Sequence, residues 1–327
     1  MKDMARLKSV AIKCVLADLR CPDCGTAGGM TEGGERVLLC GTCRAVFPII
    51  DGRPVLISAS NGLFDRKAYT TASSRSTYSS PSRDWFPSPS VNLSRSRVLR
   101  NLGRMLARLP ATAVLVVGSG TQRHKIEAAL AAGGACNLRL TCVDVDASAD
   151  VDAFADAHCL PFREECFDAV VTTAVLEHVL RPEIVAAELA RVLRTGGLLY
   201  SELPFIQQVH EGAYDFTRYT LSGHRRLLNR YRELESGLVA GPGTALVWTA
   251  EAFAGAFFAS QRIARAARLG ARLILFWIKY FDYLLIRSPA ALDGASCTYF
   301  FGEKIEGTIP DSEIIAGYRG VRQVVHL

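Results

Sequence analysis

The sequence predicts an α/β protein built on a parallel sheet and preceded by a small cysteine-rich module. Three observations carry that expectation. Val114-Leu115-Val116-Val117 is an apolar, mostly β-branched run suited to a fully buried strand. Gly118-Ser119-Gly120-Thr121 follows it, then an alanine-rich stretch from Gln122 to Ala132 that reads as a helix, then a second apolar run, Leu138 to Val143, closed by Asp144. Strand, glycine turn, helix, strand and acid make the first βαβ half of a nucleotide-binding fold. The glycines let the backbone approach a ligand, and the acid can accept hydrogen bonds from a ribose. Strand and helix patterns go on alternating downstream, as a parallel sheet requires.

Composition sets the bounds. Of 327 residues, 49% are hydrophobic and 21% charged, which suits a folded chain with a large core and one or two small modules. The net charge of +6 is modest, and much of it sits between Asn61 and Arg100, where seven Lys/Arg face two Asp/Glu. That is too little to argue for nucleic-acid binding. Met1 to Arg20 lacks the apolar core of a signal peptide. Ten cysteines in that setting point to a reducing compartment, and to metal or free thiols rather than disulfides. The expected address is the cytoplasm.

Residues 1–60 form the cysteine module. Cys21-Pro-Asp-Cys24 and Cys40-Gly-Thr-Cys43 are two Cys-x-x-Cys knuckles fifteen residues apart. Each supplies two thiolates from one turn, and an intervening hairpin brings the pairs together around a tetrahedral zinc. Four cysteine ligands leave no open position, so the metal is expected to be structural. A redox role suits one such motif rather than two, and the other alternative is a module held without metal by its core of Val46, Phe47, Ile49, Ile50, Val55, Leu56 and Ile57. Residues 61–96 carry the Ser/Pro/Arg bias of a linker, or of a long ordered loop, with Trp85 and Phe86 as apolar residues able to dock. From Leu93 the spacing of Val98, Leu102, Met105, Leu106 and Leu109 predicts a helix that Pro110 stops.

Beyond Asp144 the chain reads Phe154-Ala-Asp156-Ala157-His-Cys-Leu-Pro161-Phe162, Phe167-Asp168-Ala-Val-Val171, Leu176-Glu177-His178-Val179 and Arg191-Val-Leu-Arg-Thr-Gly196-Gly197. This predicts a strand from Phe167 to Thr172, a helix starting near Pro182 and stopping at Gly196-Gly197, and a further strand. The succession resembles the class I S-adenosylmethionine-dependent methyltransferases, in particular the methyltransferase type 11 subgroup. The resemblance implies a Rossmann-like, seven-stranded methyltransferase sheet over residues 97–305 and S-adenosyl-L-methionine as cofactor. It also implies that Gly118 and Gly120, with Ser119 between them, approach the methionine end of the cofactor. Asp144 would hold the ribose hydroxyls, Asp156 and Ala157 would contact the adenine edge, and Thr173 and Ala174 would line the pocket. The N-terminal module, with Phe47-Pro-Ile-Ile-Asp-Gly-Arg-Pro-Val-Leu-Ile, resembles the Trm112-like zinc ribbon over Leu19 to Ile57. Two positions depart from the family. Val116 stands where an acid usually seats the cofactor's amino end, and Gln122 replaces a further glycine, so weakened cofactor affinity is an expectation too.

After the fifth strand, His210, Tyr214, Asp215 and Arg218 fall at the mouth where an acceptor must enter. Methyl transfer needs a nucleophile held about 3 Å from the methyl carbon, and a hydroxyl nucleophile gains from a base that titrates near neutrality. His210 is the candidate base and Asp215 its orienter; the alternative is a structural lid fixed by the same two residues, with His178 shaping the pocket. Thr220 to Tyr231 reads as a short basic helix, Arg232 to Ala240 and Cys297 to Lys304 as late strands, and residues 306–327 as a tail. The insertion at 248–290 is aromatic and apolar. Its 248–286 portion, with Arg262, Arg265, Arg268 and Arg272, suits a helix lying on an anionic membrane surface rather than crossing it. A helical cap or a dimer face are the alternatives.

The favoured reading is O- or N-methylation of a small-molecule, sugar or lipid-linked acceptor. Rival readings are an RNA methyltransferase whose ribbon grips nucleic acid, and a non-catalytic scaffold. A nicotinamide enzyme ranks last, because Arg123 stands where its fingerprint wants a third glycine.

Overall fold

The apolar runs assemble into one seven-stranded sheet. The computed structural model describes residues 16–34, 36–71 and 88–321. Trp85, Phe86, most of the Ser/Pro/Arg-rich segment and both chain ends therefore lie outside the described residues. Strands β1 (Met30–Glu32), β2 (Val37–Cys40), β3 (Val46–Ile50) and β4 (Arg53–Pro54) form the small antiparallel sheet of the cysteine module. The large sheet comprises β5 (Thr112–Val117), β6 (Leu138–Asp144), β7 (Ala153–Phe154), β8 (Phe167–Thr173), β9 (Leu193–Pro204), β10 (Tyr231–Ala240) and β11 (Cys297–Lys304), in the order β10-β11-β9-β8-β5-β6-β7. β5 to β9 run parallel, and β11 is antiparallel to both β9 and β10. The order reverses between β5 and β8, the switch point where such sheets open a ligand crevice beyond the strands' carboxyl ends.

Strand alternation gives each face its own core. Val114 and Val116 join Val98, Leu99, Leu102 and Leu106 of helix Arg95–Leu106, and Ile126 and Leu130 of helix Arg123–Ala132. Leu115 and Val117 face the other way, toward Val185 and Leu189 of helix Pro182–Val192. Val116 is thus a core residue, and no carboxylate stands there to meet a cofactor.

Helix Pro182–Val192 ends sooner than the glycine pair implied. Leu193 pairs with Phe167 and the ladder resumes at Leu198 opposite Ala169, so Gly196 and Gly197 sit in a bulge inside β9. The glycines serve a strand irregularity there rather than a helix stop.

The cysteine module is not a free-standing bead. Cys21, Met30, Leu38, Cys40, Phe47 and Leu56 belong to the same buried cluster as Leu115, Val170 and Leu199 of the large sheet. Val55 bridges Phe154 in parallel register, Leu56 N donates to the Phe154 carbonyl at 2.8 Å, and Leu19 bridges Phe162. Asp18 pairs with both Arg139 and Arg163 at 2.8 Å. Of the expected module core, Phe47, Val55, Leu56 and Ile57 are buried, but Val55 and Ile57 pack on Tyr69, Val151 and Phe154; Val46 is exposed. The module needs the large domain's surface to complete its burial, as its small size would suggest.

The described part of the expected linker is ordered structure. Helix Arg66–Thr71 is tied to the module by Arg66, which binds Asp23 at 2.6 Å, donates to Ile57 O at 2.5 Å and lies over the Phe47 ring. The insertion forms helices Pro242–Ala256 and Gln261–Leu275, then a 3-10 turn, Phe276–Phe281. Asp282 is fully buried and caps the first of these, accepting from Gly241 N, Gly243 N, Thr244 N and Thr244 Oγ1 at 2.7–3.0 Å. Lys279 also turns inward, donating to the Ser88 carbonyl. Both charges that interrupt the apolar run in the sequence therefore leave its outer surface. Among the described residues no helix is long and apolar enough to cross a membrane.

Candidate functional site

A cavity of about 270 Å³ opens at the carboxyl ends of β5, β6 and β8. A larger groove, of about 430 Å³ between Phe205, Arg225 and Arg319, lies away from these strand ends. The β5–helix turn forms the cavity's floor. Gly118 has φ +70, and a Cβ there would stand 2.1 Å from Val175 Cγ2, so only glycine fits. Gly120 has φ +47, lines the cavity, and donates its N–H to Asp144 Oδ2 at 2.9 Å.

Asp144 ends β6 inside this cavity. Its other oxygen accepts from Asp146 N at 3.0 Å, and burial raises its pKa above the usual carboxylate range. A largely buried carboxylate held by two amides at the edge of a mainly apolar cavity is suited to accept paired hydroxyl donors.

Asp156 lies across the cavity and is more heavily engaged. Its Oδ1 accepts from His158 N at 2.9 Å and meets His158 Nδ1 at 2.7 Å. Its Oδ2 accepts from Asn61 Nδ2 at 2.6 Å. Asn61 Oδ1 in turn accepts from Leu63 N and Phe64 N, each at 2.9 Å, which holds Leu63 and Phe64 where they line the cavity along with Val179 and Leu180. Leu63, Phe64, Val179 and Leu180, with Ala157, give the lining an apolar character that suits a flat ring.

Of the residues expected at the cofactor, Gly118, Gly120, Asp144, Asp156, Ala157 and Ala174 are brought together here. Ala174 has φ +56, a left-handed conformation that is costly for a residue with a Cβ and typical of functional turns. Ser119 is buried beneath the turn, its hydroxyl directed at Asp150 O at 3.4 Å, and Thr173 lies behind the cavity in register with Glu202. Neither lines the cavity. Asn61, Leu63, Phe64 and His158 were not expected at the site; the first three follow the cysteine module and reach the cavity through the Asn61–Asp156 contact, and His158 is placed by its own hydrogen bonds to Asp156.

The mouth is formed by the loops after β8 and β9. Asp215 is buried, paired with both guanidinium nitrogens of Arg218, and accepts from His210 N at 3.0 Å. The Arg218 ion pair holds its pKa down at about 2. His210 Nδ1 stands 3.4 Å from the same carboxylate, so Asp215 fixes the loop first and the ring second. The His210 ring meets His178 edge to face at 4.7 Å, and His178 and Tyr214 line the cavity. Behind them Glu177 is fully buried, its pKa raised to about 8 by that burial.

In the cysteine module, Cys21 Sγ lies 3.7 Å from Cys43 Sγ, and Cys24 Sγ 3.7 Å from Cys40 Sγ. All four sulfurs stand within 4.8 Å of one another. Four thiolates about 2.3 Å from one zinc stand roughly 3.8 Å apart, so the donor set and spacing fit that ion.

A family model described as a methyltransferase domain matches residues 115–201, the stretch from β5 into β9 that supplies most of the cavity lining. No curated protein matches the chain. Among solved structures, a sarcosine dimethylglycine methyltransferase (so assigned provisionally) from Galdieria sulphuraria is 13% identical over 67% of this chain and 94% of that one, with a TM-score of 0.41. The complex of the Haloferax volcanii Trm112 methyltransferase activator with a methyltransferase (so assigned provisionally) gives 18% identity over 63% and 90%, with a TM-score of 0.38. The [4+2]-cyclase SpnF gives 15% over 65% and 81%, with a TM-score of 0.39. The domain match and the geometry of the cavity, rather than these distant likenesses, carry the functional argument.

Proposed function

We propose that this chain, a S-adenosylmethionine-dependent methyltransferase by its domain and fold, methylates an oxygen or nitrogen of a small-molecule, sugar or lipid-linked acceptor at a membrane surface. The single observation that carries the cofactor assignment is Asp144, set rigidly at the end of β6 in a cavity floored by Gly118 and Gly120. The cofactor supplies a methyl group on a sulfonium. Asp144 accepts the ribose hydroxyls, the apolar lining of Leu63, Phe64, Val179 and Leu180 holds the adenine, and Asp156 and Ala157 face its edge. The turn at Gly118–Gly120 admits the methionine end, where Val116 provides no acid. His210, partly exposed at the mouth, is positioned to take an acceptor's proton, and Asp215 keeps its loop in place. Zinc in the four-cysteine cluster is structural, since the set leaves no open position.

Calorimetric titration with S-adenosylmethionine and its demethylated product tests this. Micromolar binding is expected, and Asp144→Ala should weaken it by at least tenfold (~1.4 kcal/mol). No binding by folded, metal-replete protein would leave the scaffold reading in its place.

The membrane reading rests on the insertion. Phe253, Phe257, Ile274, Trp277, Tyr283 and Leu284 are each at least half exposed, and Arg262, Arg265 and Arg268 flank them in solvent. Arg272, counted with these arginines from the sequence, is instead held by Glu251 at 2.7 Å. Exposed large apolar residues and solvent-facing arginines on one helical insertion suit an anionic bilayer surface. Sedimentation with phosphatidylglycerol vesicles should carry the protein down, phosphatidylcholine vesicles much less, and the double variant Trp277→Ser, Leu284→Ser neither. Equal recovery of wild type and variant in the supernatant would sink the membrane reading. The nucleic-acid reading gains no particular support, since Arg139, Arg163, Arg191 and Arg225 are all taken up in ion pairs.

A further inference from the structure

The loop after β8 ends on a carboxylate for which the fold makes no provision. Glu177 is 0% exposed, and neither of its oxygens has a hydrogen-bond partner among the described residues. Burying such a group unpaired is costly, and native structures rarely tolerate it without a reason. Two imidazoles stand beside it. One ligand atom from each of Glu177, His178 and His210 lies within 4.8 Å of the other two, and His178 Nε2 is 3.7 Å from Glu177 Oε1.

The neighbours of the two rings fix which nitrogen is free. His178 Nδ1 lies 2.8 Å from the Tyr214 carbonyl, which can only accept, so Nδ1 carries the hydrogen and Nε2 keeps its lone pair on the Glu177 side. His210 Nδ1 lies 3.4 Å from the Gln208 carbonyl and 3.4 Å from the Asp215 carboxylate, with Arg218 Nη2 at 3.5 Å. The two acceptors favour the hydrogen on Nδ1 there as well. Metal-ligating histidines are oriented in this way, by a carbonyl or carboxylate behind the ring.

We infer that Glu177, His178 and His210 form a site for a divalent cation of the Mn2+ type, placed beside the cofactor cavity to hold the acceptor's oxygen. Two imidazoles and one carboxylate make an N,N,O set that leaves coordination positions open, unlike the closed all-thiolate cluster of the N-terminal module. Ligands about 2.1 Å from one cation stand roughly 3–4 Å apart, so the Glu177–His178 spacing already suits one. His210, on the more exposed loop, completes the set. His178 also lines the cofactor cavity, so an open position would face the transferred methyl.

This role rests on the methyl-transfer reading. The acceptor hydroxyl releases its proton to water while the cation holds the resulting oxygen anion. The new O–CH3 bond forms as the methyl's bond to sulfur breaks, and that electron pair leaves the sulfonium as a neutral thioether. With the cation bound, His210 is a ligand rather than the base.

The test is Mn2+ titration of the full chain, its thiolate cluster left loaded with zinc, followed by loss of the free-ion electron paramagnetic resonance signal. One Mn2+ per chain should bind, and Glu177→Gln and His210→Ala should each weaken it by more than about tenfold. Calorimetry alongside should find S-adenosylmethionine affinity in His210→Ala within about twofold of wild type, because His210 does not line that cavity. If Glu177→Gln fails to fold, His210→Ala alone decides. Absence of Mn2+ binding, or binding undiminished in His210→Ala, overturns the site. Mn2+ binding without any cofactor binding would keep the site and overturn the methyl-transfer reading instead.

Discussion

Stripping the metal from the four-cysteine cluster, or replacing Cys40 by serine, is expected to destabilise the whole chain and not the N-terminal module alone. Cys21 and Cys40 are buried to 0% and 1% exposure in the same cluster as the sheet residues Leu115, Val170 and Leu199. A structural zinc in a small ribbon supplies on the order of 10 kcal/mol of binding free energy that is also folding free energy. Here part of that loss is absorbed by the module's contacts with the large sheet, leaving several kcal/mol and a fall in Tm on the order of 10 °C. The effect should reach the cofactor as well. Leu63 and Phe64 are carried to the cavity wall by Asn61, immediately after the module, and Arg66 ties the following helix to Asp23 between the first two cysteines. Zinc release by a chelator, followed with a chromogenic indicator, should therefore lower S-adenosylmethionine affinity together with Tm. Full release of metal with both quantities unchanged would refute the structural role.

That coupling is also where the sequence was least legible. β5, its glycine turn, β6 and Asp144 could be read because their signals are local: a buried strand is continuously apolar, a tight turn needs glycine, and a terminal acid is visible. β11 could be read over its full length, Cys297–Lys304, for the same reason. Asn61, Leu63 and Phe64 could not, since their roles depend on contact between segments 95 residues apart, as between Asn61 and Asp156. Composition pointed the other way there: the Ser/Pro/Arg bias of 72–87 coloured the reading of 61–71, which is a turn and a helix. Gly196-Gly197 misled differently. A glycine pair after a helical pattern signals a stop, and only the pairing of Leu193 with Phe167 shows that the strand has already begun. Glu177 and His178 were visible as a motif, but the meaning of the glutamate lies in its burial without a partner, which no spacing reveals.

His224 should withdraw stability from the folded chain as the pH falls below 6.5. It lies in helix Leu221–Leu227 against β9 and β11, fully buried, with Nε2 2.9 Å from Ser201 Oγ, Nδ1 3.4 Å from Thr298 Oγ1, and its ring 6.0 Å from Phe300. Two hydroxyls and an aromatic ring satisfy a neutral imidazole but offer no counter-charge to a protonated one, and burial holds its pKa down at about 3 against 6.5 for the free side chain. Between those two values the unfolded chain binds a proton that the folded chain refuses. The neutral group's contribution is therefore intact above pH 6.5 and declines as the pH falls, by ~1.4 kcal/mol per unit for one proton, to a total on the order of 4–5 kcal/mol near pH 3. The Asp215–Arg218 pair leaves pH 6 to 4.5 untouched, because a carboxylate lowered from 3.8 to about 2 gives up its stabilisation as the pH falls between those two values. His178, which burial also depresses, contributes in the same direction, and Glu177, which burial raises to about 8, in the opposite one, so the informative quantity is the difference from a variant. Denaturant unfolding of wild type and His224→Gln, which retains hydrogen-bonding groups for Ser201 and Thr298, should show the wild type losing about 1.4 kcal/mol more per pH unit than the variant between pH 6 and 4.5. The variant starts less stable at pH 7.5 and ends closer to the wild type. Parallel slopes would mean that His224 takes up its proton inside the fold, and that this corner of the sheet opens to water more readily than its packing implies.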